Sequence, residues 1–123
     1  MLNWLKSIFV KSLKAVAIYE VKAEGDKLQE VLRSRLAREG VGAVDRTIDA
    51  AQVRIIAAVN TRGPKWAFLE PIRRQVAEAV QAFGDELQGG IKHHVKEHGP
   101  AAVDRVFDVA QATLIKKIEA IVL

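Results

Sequence analysis

AVDRTIDAAQ (Ala43–Gln52) returns as AVDRVFDVAQ (Ala102–Gln111), 59 residues further on. That recurrence decides how the chain is read. Aligned to itself at the same offset, the sequence pairs GDKLQ (Gly25–Gln29) with GDELQ (Gly84–Gln88), Gly40 with Gly99 and Ile56 with Ile115. From Val21 to Ile56, 15 of 36 positions are identical to their counterparts, and Leu32/Ile91 and Arg33/Lys92 are mild replacements. A match at constant offset without a gap reads as tandem duplication of a unit of about 59 residues.

Each unit reads as helices separated by glycines. In the first, Leu2, Leu5, Phe9, Leu13 and Val16 follow helical spacing. Gly25-Asp26 offers a stop and an N-cap, predicting a second helix over about 26–38 that ends at Gly40. Val44, Ile48, Ala51, Ile55 and Val59 then line one face of a third. The second unit repeats the plan: Pro71 suits the first turn of its leading helix, Gly84-Asp85 repeats the stop, and Gly99-Pro100 sharpens the break at Gly40. Val103, Phe107, Ala110, Leu114 and Ile118 form the closing apolar face. The expected fold is an all-α, tandem-duplicated helical bundle with two pseudo-symmetric units of two to three helices each. Residues 1–59 form the first unit, 60–70 a linker with room for one short helical turn, and 71–123 the second. A unit this small buries only a thin core alone, so the two are expected to share one core, as a single-chain version of a homodimer.

Composition agrees. Half of the 123 residues are apolar and 28% are charged, ordinary values for a globular protein. Without cysteine there is no disulfide framework, thiolate metal site or thiol nucleophile. The formal charge of +4 is mixed along the chain rather than gathered, which weighs against nucleic acid as the main partner. No run of 18 uncharged apolar residues predicts a transmembrane helix. Lys6, Lys11 and Lys14 interrupt the apolar stretch a signal peptide would need. The expected setting is cytoplasmic or inside an assembled particle.

Three patterns could carry chemistry. In VDRxxDxAQ, Asp45, Asp49 and Gln52, like Asp104, Asp108 and Gln111, line up beside the apolar stripe. Two carboxylates per helix are too few to enclose a hard cation. The expected roles are caps, surface pairs such as Arg46 with Asp49, and contacts between the units through Asp45, Arg46, Asp49, Gln52, Asp104, Arg105, Asp108 and Gln111. HVKEH (His94–His98) has the H-x-x-E-H spacing and in that respect resembles the inverted zincins, whose two histidines hold zinc beside a basic glutamate. Its counterpart RLARE (Arg35–Glu39) has no histidine, and a solvated helix face is expected at His94, Glu97 and His98. In the linker, Arg62, Lys65, Trp66, Phe68, Arg73 and Arg74 interleave basic and aromatic groups as a nucleic-acid surface would. Trp66 is expected instead to plug the seam between units. Gly89-Gly90, inside a helix, points to close helix approach or a hinge. No catalytic constellation or dinucleotide fingerprint is present, so neither cofactor nor small-molecule substrate is expected.

The first helix is the more informative surface. Lys6, Lys11, Lys14 and Lys22 fall on one arc with Asn3 and Ser7, while Leu2, Leu5, Ile8, Phe9, Leu13 and Val16 cover the other, with Trp4 at the boundary. No acid precedes Glu20. A lysine-faced amphipathic helix with a Trp near one end is the pattern of a membrane interface, so Trp4, Lys6, Lys11, Lys14 and Lys22 are the expected contacts to a membrane or acidic surface. The opening MLNWLKSIFVKSLK (Met1–Lys14) resembles the start of some leaderless bacteriocins, a resemblance covering about 14 residues that implies a membrane-active effector. The leading expectation is a non-enzymatic helical structural or assembly protein, a minor component of a large, virion-like particle, with a protein partner or itself as neighbour. A bacteriocin-like or lytic effector and a nucleic-acid accessory protein are the alternatives.

Overall fold

The computed structural model describes residues 2–40, 42–99 and 101–122, and the side chains of Leu2, Asn3, Val95 and Lys96 lie outside that description. The proline start at Pro100 and the places given to Leu2 and Asn3 on the first-helix arcs therefore fall outside it. The described residues form four helices: α1 (Leu2–Glu39), α2 (Gly42–Arg62), α3 (Glu70–His98) and α4 (Ala102–Glu119), with a 3₁₀ turn at Ala67–Leu69 leading into α3. The chain is an all-α bundle. Each helix packs on its two neighbours in the ring α1–α2–α3–α4, and the diagonal α1–α3 contact is slight.

Both hairpin turns rest on glycine in the left-handed region, Gly40 at φ +78° and Gly99 at φ +74°. The Gly40 amide donates to the Leu36 carbonyl (3.2 Å), closing α1 as an αL cap does. The glycine breaks at 40 and 99 are thus full reversals of the chain. Pro71 lies in the first turn of α3, where its missing N–H costs nothing.

Gly25-Asp26 and Gly84-Asp85 are not breaks. α1 and α3 run through them, so each hairpin has two helices where the Gly-Asp pairs predicted a third, and the separate helix over 26–38 does not exist. The reason is tertiary. A Cβ at Gly25 would stand 2.5 Å from Gln111 Nε2, and one at Gly84 would overlap the Gln52 amide. Both glycines are kept small by a glutamine from the neighbouring helix, and the helical ladder carries through Asp26 and Asp85. Gly90 has the same cause, because a Cβ there would meet Val106 Cγ1 at 2.7 Å. Gly89 faces open space.

The core is one cluster drawn from all four helices. Its largest fully buried side chains include Leu13, Leu28 and Leu32 of α1, Ile48 and Ile55 of α2, Leu87 and Ile91 of α3, and Phe107, Leu114 and Ile118 of α4. Phe83 meets Phe107 edge to face at 5.8 Å. The apolar faces expected for α2 and α4 are buried in full. Contacts of this kind are worth about 1.5–3 kcal/mol per large aliphatic side chain removed from water.

Candidate functional site

α1 has 38 residues and α3 has 29, so α1 begins about nine residues, or about 14 Å, before the point that matches the start of α3. This overhang has no full helical neighbour, and that changes which side chains it buries. Leu5 and Ile8, on the apolar arc of α1, are 42% and 44% exposed, and Trp4 is 65% exposed. Tyr19, further along the same helix, is 65% exposed. Only from Val10 and Leu13 onward does α1 sink into the core.

The linker folds against the overhang. Phe9 packs on Trp66 (ring centroids 5.5 Å) and on Phe68 (6.2 Å), and Lys6 Nζ sits 5.6 Å over the Phe68 ring, within cation–π range. Trp66 is 55% exposed: it forms part of this aromatic surface and does not plug a seam. Arg73 fixes the linker by donating to the carbonyls of Pro64 (2.7 Å) and Trp66 (3.1 Å). Arg62 is bound to the buried Glu20 carboxylate at 2.5 Å. Two of the basic groups that resembled a nucleic-acid surface are therefore engaged by partners within the fold, although the Arg62 side chain itself stays exposed.

The expected lysine arc divides in the same way. Lys11 and Lys22 are exposed and make no ion pair among the described residues. Lys14 instead donates to the carbonyls of Glu119 (2.5 Å) and Ile121 (3.0 Å), where α4 ends and free carbonyls favour a cation. Its ammonium is thereby held at the end of α4. The overhang thus presents Trp4, Leu5, Ile8 and Trp66 beside Lys11 and Lys65, with Lys6 half-buried against Phe68.

The repeated phrase lies on the contacts between hairpins. Gln52 of α2 donates to the Val80 and Gln81 carbonyls of α3 (3.4 and 3.0 Å), and Gln111 of α4 donates to the Val21 carbonyl of α1 (3.3 Å). Lys92 pairs with Asp45 at 2.6 Å, and Arg33 with Asp104 at 3.5 Å. Gln29 donates to Asp104 (2.6 Å), while Gln88 donates to Asp49 (2.9 Å). The expected Arg46–Asp49 pair is absent, because Asp49 turns to Gln88 across the interface. Arg46, Arg105 and Asp108 are exposed. One oxygen of this set is poorly placed: Asp45 Oδ1 is buried without a hydrogen-bond partner, its Oδ2 being the atom that meets Lys92.

Among the described residues no three His, Asp or Glu side chains converge as ligands. His94 and His98 stack at 6.3 Å between ring centroids, and Glu97 lies beside His98 at 3.7 Å, all three exposed on α3. No helix among the described residues is long and apolar enough to cross a membrane.

Sequence reasoning missed the union of Phe9 with Trp66 and Phe68, and it missed the groove that Gly90 opens beside α4. The first leaves no local signal, since it joins residues far apart in the chain. The second was signalled by Gly89-Gly90. Comparison with known proteins finds no matching family model, no matching curated protein and no matching solved structure.

Proposed function

We propose that this is a non-enzymatic assembly protein: two duplicated hairpins locked into one bundle, presenting the α1 overhang to an anionic membrane surface. The observation that carries the reading is the exposed group Trp4, Leu5, Ile8 and Trp66 next to Lys11 and Lys65 on an otherwise well-packed bundle. Indole rings and aliphatic side chains favour the interfacial region, and lysines beside them favour anionic lipid. Each chain offers one small patch, so attachment is weak singly and grows with copy number, which is why a larger, virion-like assembly is its natural setting. The core is a single cluster drawn from all four helices, and this favours docking over the lytic alternative, in which the chain would have to open.

Co-sedimentation of the pure protein with neutral and anionic vesicles tests the reading, with dye release and solution mass recorded alongside. Binding is expected with anionic vesicles only, without leakage. Trp4→Ser together with Lys11→Glu is expected to abolish it. Lys14 is left intact because its loss would disturb the end of α4. Leakage would favour the effector, and equal binding to neutral vesicles would remove the role given to lysine.

A further inference from the structure

The α3–α4 hairpin carries a groove of about 600 Å³, within the size range of small-molecule sites. It lies at the end of the bundle opposite the overhang and does not depend on the reading above. Glu86, Gly90, His94 and His98 stand at four-residue intervals on α3 and line one wall. Ala102, Arg105, Val106 and Val109 of α4 line the other, with Val109 68% exposed. The two helices are antiparallel, so His94, His98 and Arg105 gather at the turn, Gly90 meets Val106 midway, and Glu86 closes the far end.

On the first hairpin the cavity at the corresponding place is smaller, about 320 Å³. Val31 stands where α3 has Gly90, and Arg35 stands where it has His94. Arg35 donates to Thr47 Oγ1 at 3.3 Å, drawing its side chain across to α2. This smaller cavity is lined by α1 residues alone. The larger size of the second groove, and its α4 wall, accompany these departures of the second hairpin from the first.

We propose that this groove binds a small amphipathic monocarboxylate, head at the turn and chain along Gly90, Val106 and Val109. Arg105 is exposed and pairs with no carboxylate among the described residues, and its guanidinium fork matches a carboxylate in geometry and charge. The imidazole N–H groups of His94 and His98 supply further donors in either protonation state. From His94 to Glu86 is eight residues, about 12 Å of helix, which gives room for an extended medium-length acyl chain. The Glu86 carboxylate at the far end selects against a second negative charge there.

Decanoate, its dicarboxylate analogue sebacate and the cationic decyltrimethylammonium are the probes, followed by the imidazole proton resonances of His94 and His98. Decanoate is expected to shift both histidines in a saturable way, sebacate to bind about tenfold more weakly and the cation not to bind at the groove. Arg105→Glu, on an exposed site, is expected to weaken decanoate about tenfold or more with the thermal transition unchanged. Gly90→Val, whose side chain enters the groove against Val106, is expected to weaken decanoate as well, with a lowered thermal transition because a Cβ there already meets Val106 Cγ1 at 2.7 Å. Equal response to the cation, or an Arg105→Glu variant that binds as the parent does, would overturn the proposal. So would decanoate shifts confined to the indoles of Trp4 and Trp66, which would place the fatty chain on the overhang.

Discussion

The two hairpins agree where they touch each other and differ where they meet solvent. Between them, Gln52 over Gly84 is matched by Gln111 over Gly25, and Lys92–Asp45 by Arg33–Asp104, each pair related by the 59-residue offset. Away from that interface the copies part. Glu20 and Arg62 form a buried-to-surface ion pair whose counterparts are Ala79 and Ile121. The overhang exists on α1 and not on α3, and the groove of the second hairpin is about 600 Å³ where the cavity at the matching place on the first is about 320 Å³. The lesson is that the recurring phrase encodes helix–helix contact, so the diverged positions are the place to look for function.

The strongest way to break the comparison is in the core. Ile48 and Phe107 occupy equivalent, fully buried positions. Phe107→Ala is expected to cost about 4 kcal/mol and Ile48→Ala about 3 kcal/mol, measured by denaturant unfolding, because Phe107 also loses its edge contact with Phe83. Equal and small losses would mean that the core is loosely packed.

The glycine crossings sharpen it next. Gly84→Ala is expected to destabilise by about 1–2 kcal/mol, since the new methyl displaces a glutamine amide that holds two carbonyls. Gly25→Ala displaces the tip of Gln111, which holds one carbonyl, and otherwise makes an ordinary 3.4 Å contact with Phe107 Cε1. The gain in helix propensity, about 1 kcal/mol, offsets that loss and leaves the variant within about 0.5 kcal/mol of the parent. A stabilised Gly84→Ala would show that the Gln52 contact contributes nothing.

The smallest effect belongs to the charge pairs. Lys92→Ala and Arg33→Ala each remove a partner of an aspartate that is itself about half exposed. Both are expected to change stability by about 0.5 kcal/mol or less, with the difference fading in high salt. A large effect at Lys92 alone would point to the buried Asp45 Oδ1 as the sensitive atom.

Much of the fold was legible because helical periodicity and left-handed glycine are local signals. The apolar faces at Val44–Val59 and Val103–Ile118, and the turns at Gly40 and Gly99, follow from them directly. Gly25 and Gly84 misled because their small size serves a partner on another helix, which no window of sequence contains. The partnership did leave a trace, since Gly25 and Gln52 recur together as Gly84 and Gln111. Leu5 and Ile8 share the apolar arc of α1 with the buried Leu13, but spacing tells which residues share a face and not whether a neighbour covers it. Here too the repeat held the answer: residues 2–10 align with the α2 end and linker at 61–69, not with a helix of the second hairpin. The lysines were assigned by arc alone, so the reach of Lys14 to the end of α4 could not be seen.

The most direct test of the account follows the emission of Trp4 in a Trp66→Phe variant as vesicles are added. With anionic vesicles the account predicts a blue shift of Trp4 emission, with unchanged helicity and thermal transition, and no shift with neutral vesicles. Emission that stays at its aqueous position on anionic vesicles would contradict it, and the exposed aromatic end of α1 would then have no membrane role.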